Sequence, residues 1–134
     1  MIAQWPIGLL NELPVRAYRD IESAIKHSYG ERNLENIMEE LVKGEKQVWM
    51  LSTDDEFKAT IITHIVEHPQ KKTCELIYLG GEDMLDMIPE FTAIEDWAVE
   101  NGCKDFQAVG RPGWERVLKS HGYERRYITV GRNL

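Results

Sequence analysis

The sequence predicts one α/β domain of the layered α+β kind over residues 1–134: a mixed, mostly antiparallel sheet flanked by helices, in the order β-α-α-β-β-β-α-β-α-β. Three observations predict it. Apolar residues recur at three- and four-residue spacing in several separate stretches, the mark of a helix face turned to a core. After Gly44 the spacing shortens to that of strands, in three runs joined by short polar turns. Residues 93–123 then pass from helix to strand to helix, with Gly102, Gly110 and Gly122 where each element should end, so both helices need a sheet to cover.

Size and composition set the bounds. A chain of 134 residues holds one real core but not two. A hydrophobic content of 43% with 29% charged residues belongs to a folded soluble chain. A net charge of −7 and a pI of 5.1 argue against nucleic-acid binding, which needs clustered Lys and Arg to neutralise phosphate. Arg111, Arg116, Lys119, Arg125, Arg126 and Arg132 form a local exception, by default a solvated surface and otherwise a face for an acidic ligand. Cys74 and Cys103 lie far apart with no ligand spacing, so the sequence predicts neither a metal site nor a disulfide, and a reduced cytoplasmic setting. The N-terminus lacks a basic region and a long apolar run, and no window is long enough for a membrane span.

Residues 1–13 are apolar but broken by Pro6 and Gly8, which suits a short edge strand or a loop on the core. From Pro14, the residues Val15, Tyr18, Ile21, Ala24 and Ile25 mark one helix face, with an end expected near Gly30. Asn33 is a candidate N-cap for a second helix whose apolar face is Leu34, Ile37, Met38, Leu41 and Val42, closed by Gly44. The runs QVWMLS, FKATIITHIVEH and TCELIYLG make an antiparallel meander, and the unbroken apolar stretches imply a central strand covered on both faces. From Met84 a helix with Ile88, Phe91, Ile94, Trp97 and Ala98 on one face is expected, Pro89 sitting in its first turn. A strand over residues 104–109, a helix over 112–121 and a last strand over 123–130 complete the chain.

This order resembles the GNAT (Gcn5-related N-acetyltransferase) superfamily, most closely in the final 60 or so residues. Members commonly end their third helix "eeWArenGck"; here the same places hold Glu95, Asp96, Trp97, Ala98, Val99, Glu100, Asn101, Gly102, Cys103 and Lys104. Their fourth helix reads Asn-x-x-Ala-x-x-Leu-Tyr-x-x-x-Gly-Phe, and Arg111, Trp114, Val117, Leu118, Gly122 and Tyr123 fill those positions without a gap. The run GRPGWERVLKSHGY is also similar to GNAT-like proteins encoded by tailed bacteriophages.

The resemblance implies an acetyl-CoA site, with the cofactor pyrophosphate on backbone N–H groups at the start of the third helix. The usual Arg/Gln-x-x-Gly-x-Gly/Ala motif falls on Glu82, Asp83, Met84, Leu85, Asp86 and Met87 and matches at none of its fixed places. Carboxylates at Glu82, Asp83 and Asp86 would repel phosphate by about 1 kcal/mol per close pair. They also suit a helix start as caps. If the cofactor binds, Gly80 and Gly81, the backbone of Ile77, Tyr78 and Leu79, Arg111 and Trp114 are its candidate contacts. The thiolate donor expected on the fourth helix is replaced by Leu118, leaving Tyr123 or Tyr78 as substitutes, and Glu75 is the candidate base. Along their own strand, His64 and His68 share one face and Glu67 takes the other, which does not make a metal site.

Two functions follow. In one, the GNAT scaffold has lost the cofactor and serves as a phage virion component or a binder of a host protein. In the other, it is an acetyl-CoA-dependent N-acetyltransferase acting on an amine of a small molecule or protein. Either is compatible with a homo-oligomer.

Overall fold

The computed structural model of the chain describes residues 1–82 and 84–134. The element order is β1 (Ile2–Gln4), a 3₁₀ segment (Ile7–Glu12), α1 (Val15–Ile25), α2 (Leu34–Val42), β2 (Gln47–Thr53), β3 (Glu56–Glu67), β4 (Lys72–Gly81), α3 (Met84–Met87), a 3₁₀ turn (Ile88–Glu90), α4 (Phe91–Glu100), β5 (Cys103–Ala108) and α5 (Pro112–Lys119). The five strands lie in sequence order, antiparallel from β1 to β4, with β5 parallel to β4.

Local chemistry places these elements. The Asn33 side chain accepts from the Asn36 N–H at 2.8 Å while Asn36 Oδ1 accepts from the Asn33 N–H at 3.0 Å, a reciprocal cap that starts α2. β2 turns into β3 through Asp54 and Asp55, at φ 51° and 62°, the left-handed pair that matches strand twist in a two-residue hairpin. α4 ends at Asn101, followed by Gly102 at φ 85°.

The sheet divides the core in two. On one face α1, α2 and the first 3₁₀ segment bury Leu10, Ala17, Ile21, Ile37 and Leu41 against Val48, Met50, Ile62 and Tyr78. On the other, α3 to α5 bury Met87, Phe91, Ile94, Ala98 and Leu118 against Trp49, Leu51, Ile61, Cys74 and Leu76. Residues 59–63 of β3 are buried throughout, as a central strand covered on both faces requires.

The expected last strand over residues 123–130 does not form. Those residues carry no regular structure, and among the described residues those at 124–130 make no backbone–backbone hydrogen bond to another strand. The first helix stops at Ile25, short of Gly30, and the helix expected from Met84 is divided by the turn at Ile88–Glu90, where Pro89 removes a donor. The apolar N-terminus is both a three-residue edge strand and a 3₁₀ segment.

β4 is held closely by its neighbours near its C-terminal end. A Cβ at Gly80 would lie 2.2 Å from the Asp20 carbonyl oxygen of α1, and one at Gly81 would lie 2.4 Å from the Lys58 carbonyl oxygen of β3. Gly80→Ala is therefore expected to push α1 off the sheet, costing about 3 kcal/mol and roughly 10 °C in Tm. Urea and thermal unfolding followed by circular dichroism measure it; a change under 1 kcal/mol would show that α1 is not seated on Gly80.

Candidate functional site

The site is built by a register change in β4. Ile62 pairs with Tyr78 and Thr63 with Leu76, so Ile77 is an extra residue, a β-bulge. Below the bulge Cys74 and Leu76 face α4; above it Leu79 does, while Ile77 and Tyr78 both turn to the α1/α2 side. The ladder to β5 stops at the same level. Leu76 pairs with Ala108, its carbonyl still accepts from the Val109 N–H at 2.9 Å, and Gly110 then turns the chain away into α5. Beyond Leu76, β4 runs on to Gly81 paired with β3 only among the described residues, and a wedge of space lies between β4 and α5.

That wedge is filled. Leu79, Leu85, Ile88, Phe91, Trp114, Val117 and Leu118 enclose about 80 Å³. The Trp114 indole is seated over Gly110, where a Cβ would come within 2.5 Å of the ring. Trp114 Nε1 and Tyr123 Oη are both buried and, among the described residues, neither has a hydrogen-bond partner within bonding geometry. Burial, with Glu95 nearby, raises the Tyr123 phenol above its usual range. Tyr123 itself packs edge-on against Phe106, ring centroids 6.2 Å apart.

The start of α3 offers little to an anion. The Glu82 N–H donates to the Lys58 carbonyl at 2.8 Å, and its carboxylate pairs with Arg16 at 3.4 Å. Arg16 also meets Asp20, which accepts from the Thr60 hydroxyl at 2.9 Å and whose pKa burial raises. Asp86 adds a further carboxylate in the first turn, and Asp83 lies outside the described residues. Arg111 is exposed at the N-cap of α5.

On the opposite face of β4 lies a polar ladder. Glu75 sits across from His64 on β3 and Gln107 on β5, taking a 2.7 Å contact from His64 Nε2 and a short hydrogen bond from Gln107. The His64 contact does most to hold the Glu75 pKa below the usual carboxylate value, against burial. Next to it Asp105 accepts from Lys71 at 2.7 Å, Arg126 at 2.5 Å and Thr73 at 2.7 Å. Burial acts to raise the Asp105 pKa, but these bonds outweigh it and leave it well below the ordinary range.

The bulge separates most of the residues singled out in the sequence. Leu79 and Trp114 meet in the wedge, with Tyr123 packed in the same core. Glu75, Ile77 and Tyr78 belong to the other face, where burial raises the Tyr78 phenol. Gly80 and Gly81 serve the packing of β4 against α1 and β3, as their absent Cβ atoms show. The His64–Glu75 pair and the ion cluster on Asp105 could not be read from the sequence, because only cross-strand register brings their residues together. Burial pushes Cys74 up to about 12 and raises Cys103, so neither is a ready thiolate. Among the described residues no group of three His, Cys, Asp or Glu side chains is placed to hold a metal, and no helix is long and apolar enough to cross a membrane.

No family model and no curated protein matches the sequence. Solved structures do match the fold. An aminoglycoside acetyltransferase from an uncultured soil metagenomic sample, in complex with sisomicin, superposes with a TM-score of 0.71 at 12% identity, covering 100% of this chain and 95% of that one. A tetramutant of the BH1408 protein from Bacillus halodurans gives 0.69 at 15% identity, over 100% and 99%. A predicted acetyltransferase with acetyl-CoA from Clostridium acetobutylicum gives 0.66 at 11% identity, over 99% and 95%. At these identities the likeness establishes the fold.

As arranged, the wedge does not suit acetyl-CoA. Ligand pockets for small molecules run to about 300–1,000 Å³, and the space beside Trp114 is about 80 Å³. The carboxylates at the start of α3 oppose a pyrophosphate.

Glu75 carries a testable pH signature. Its folded pKa is lowered, so its stabilisation is complete above the unfolded value of about 4.3 and is lost as pH falls through the folded value. Glu75→Gln should lower Tm by several degrees at pH 7 and much less near pH 3. A gap that stays constant between the two would show that the His64 and Gln107 bonds do not stabilise the charged form.

Proposed function

With the GNAT fold as scaffold, we propose that this chain is a non-catalytic binding module which works by engaging a protein, not by transferring an acetyl group. The observation that carries this reading is the occupied wedge: Trp114, seated on Gly110, and Leu118 fill the space between β4 and α5 that a cofactor would need. Three further features support it. Leu118 stands where the family's donor tyrosine is expected, the substitute Tyr123 hydroxyl is buried with its proton held tightly, and the start of α3 is acidic. The run GRPGWERVLKSHGY supports placing that module in a phage virion or against a host protein.

The second reading, an acetyl-CoA-dependent N-acetyltransferase, draws on the end of the β4–β5 ladder at Leu76 and on the hydrogen-bonded Glu75 carboxylate as a base. It requires Trp114 to leave the wedge.

Thermal unfolding with and without acetyl-CoA separates the two. A ligand present at 100 times its Kd stabilises by about 2.7 kcal/mol, several degrees in a domain of this size. The expected outcome is no shift for the wild type at millimolar acetyl-CoA. A saturable rise of several degrees, with thiol release in the presence of an amine, would replace the binding-module reading with the enzyme. Trp114→Ala tests the cause: gain of an acetyl-CoA shift in that variant alone would identify the indole as the block.

A further inference from the structure

Beside the first two strands, away from the wedge, lies a second and larger space of about 430 Å³, a size that small-molecule pockets have. It opens because the two outer strands are of unequal reach. β1 stops at Gln4, opposite Trp49. The Trp5 N–H still donates to the Val48 carbonyl at 2.8 Å, and Pro6 then turns the chain into the first 3₁₀ segment. β2 begins lower down, at Gln47, so its first residues pair with β3 on one side and border the cavity. No residue lining this cavity belongs to the wedge.

Three carboxamides from separate parts of the chain converge there with one indole. Gln4 comes from β1 and Gln47 from β2, while Trp97 and Asn101 stand one turn apart at the end of α4. Hydrogen bonds orient two of the amides. The Trp49 indole N–H donates to the Thr63 hydroxyl at 2.9 Å, and that hydroxyl donates to Gln47 Oε1 at 2.9 Å, which leaves the Gln47 NH₂ as a free donor. Asn101 Nδ2 donates to the Trp97 carbonyl at 2.8 Å, which leaves its Oδ1 as an acceptor. Among the described residues, the Gln4 amide and the Trp97 N–H have no hydrogen-bond partner. Lys46 is the one ionisable residue lining the space, and its ammonium is taken by Glu40. Ile7, Leu10 and Ile65 contribute apolar wall.

We propose that this cavity binds a neutral sugar ring. A hydroxyl both donates and accepts, and a fixed amide NH₂, a fixed amide oxygen and a carboxamide free to turn supply both roles around one space. The indole and the aliphatic wall match the C–H surface of such a ring. An anionic ligand finds no unpaired cation there and a cationic one no carboxylate, since Lys46 and Glu40 satisfy each other. A wholly apolar ligand would strand the amides without partners. The inference stands apart from the protein-binding reading and from whether the wedge takes acetyl-CoA.

Titration of the full, isotope-labelled chain with D-glucose, D-galactose, D-mannose and N-acetyl-D-glucosamine, followed by proton–nitrogen correlation spectra, tests it. At least one sugar is expected to shift the Trp97 indole N–H and the side-chain amides of Gln4 and Gln47 saturably, with the Trp114 indole unmoved. Gln4→Ala, at an exposed place on the edge strand, and Gln47→Leu should each weaken that binding at least tenfold without changing the circular dichroism spectrum. Gln47→Leu also removes the acceptor of the Thr63 hydroxyl, so if it folds poorly the decision rests on Gln4→Ala and the wild-type shifts. No saturable shift at Trp97 with any of the sugars overturns the proposal, as does full affinity in Gln4→Ala. Sodium benzoate and N-acetylalaninamide are the anionic and peptide comparisons, and tighter binding of either at the same resonances also overturns it.

Discussion

β4 serves two neighbours that run in opposite directions, and everything chemically distinctive about this protein follows from how it does so. Its antiparallel ladder to β3 continues to Gly81, while its parallel ladder to β5 ends at Leu76. A single inserted residue, Ile77, marks the division. It reverses which side chains face which half of the core, so Leu79 enters the wedge beside α5 while Tyr78 turns to α1 and α2. Without the bulge, strand alternation would send Tyr78 toward α4 and Leu79 toward α1.

Close approach then fixes what surrounds the bulge. Gly80 lets the backbone of α1 rest on β4, and Gly110 lets the indole of Trp114 lie flat over the turn into α5. These contacts make the space between β4 and α5 a packed core. The polar chemistry is displaced to the far face of the sheet, where Glu75 and Asp105 are each held by partners from other strands or from the C-terminal segment. Half-buried carboxylates of this kind stay charged because hydrogen bonds outweigh desolvation. They brace the β3–β4–β5 edge and do not converge on the wedge.

Much of the architecture was legible because it rests on local rules. The spacing of Ile21, Ile37 and Ile94 with their neighbours identified helix faces, and Asn33 announced its cap. The meander followed from short polar turns between apolar runs. The site was less legible. Glu75 was a candidate base from its place on the fourth strand, whereas its partnership with His64 depends on register between residues eleven apart in sequence and adjacent in space. The last strand was expected from Tyr127, Ile128 and Val130, and the propensity is real, but a strand exists only where a neighbour accepts its hydrogen bonds.

By itself the sequence determined the layered α/β scaffold, the cap at Asn33 and the antiparallel meander, since periodicity, capping and turn chemistry act over a few residues and need no knowledge of the rest. It also determined that the residues around the start of α3, Glu82, Asp83 and Asp86, are acidic. Tertiary structure alone decided that the wedge beside β4 is filled by Trp114, that Gly80 and Gly81 are there for packing, and that β5 has a strand on one side only among the described residues. Those outcomes depend on strand register and on contacts between elements far apart in the chain, for which no stretch of residues read in order carries the distance.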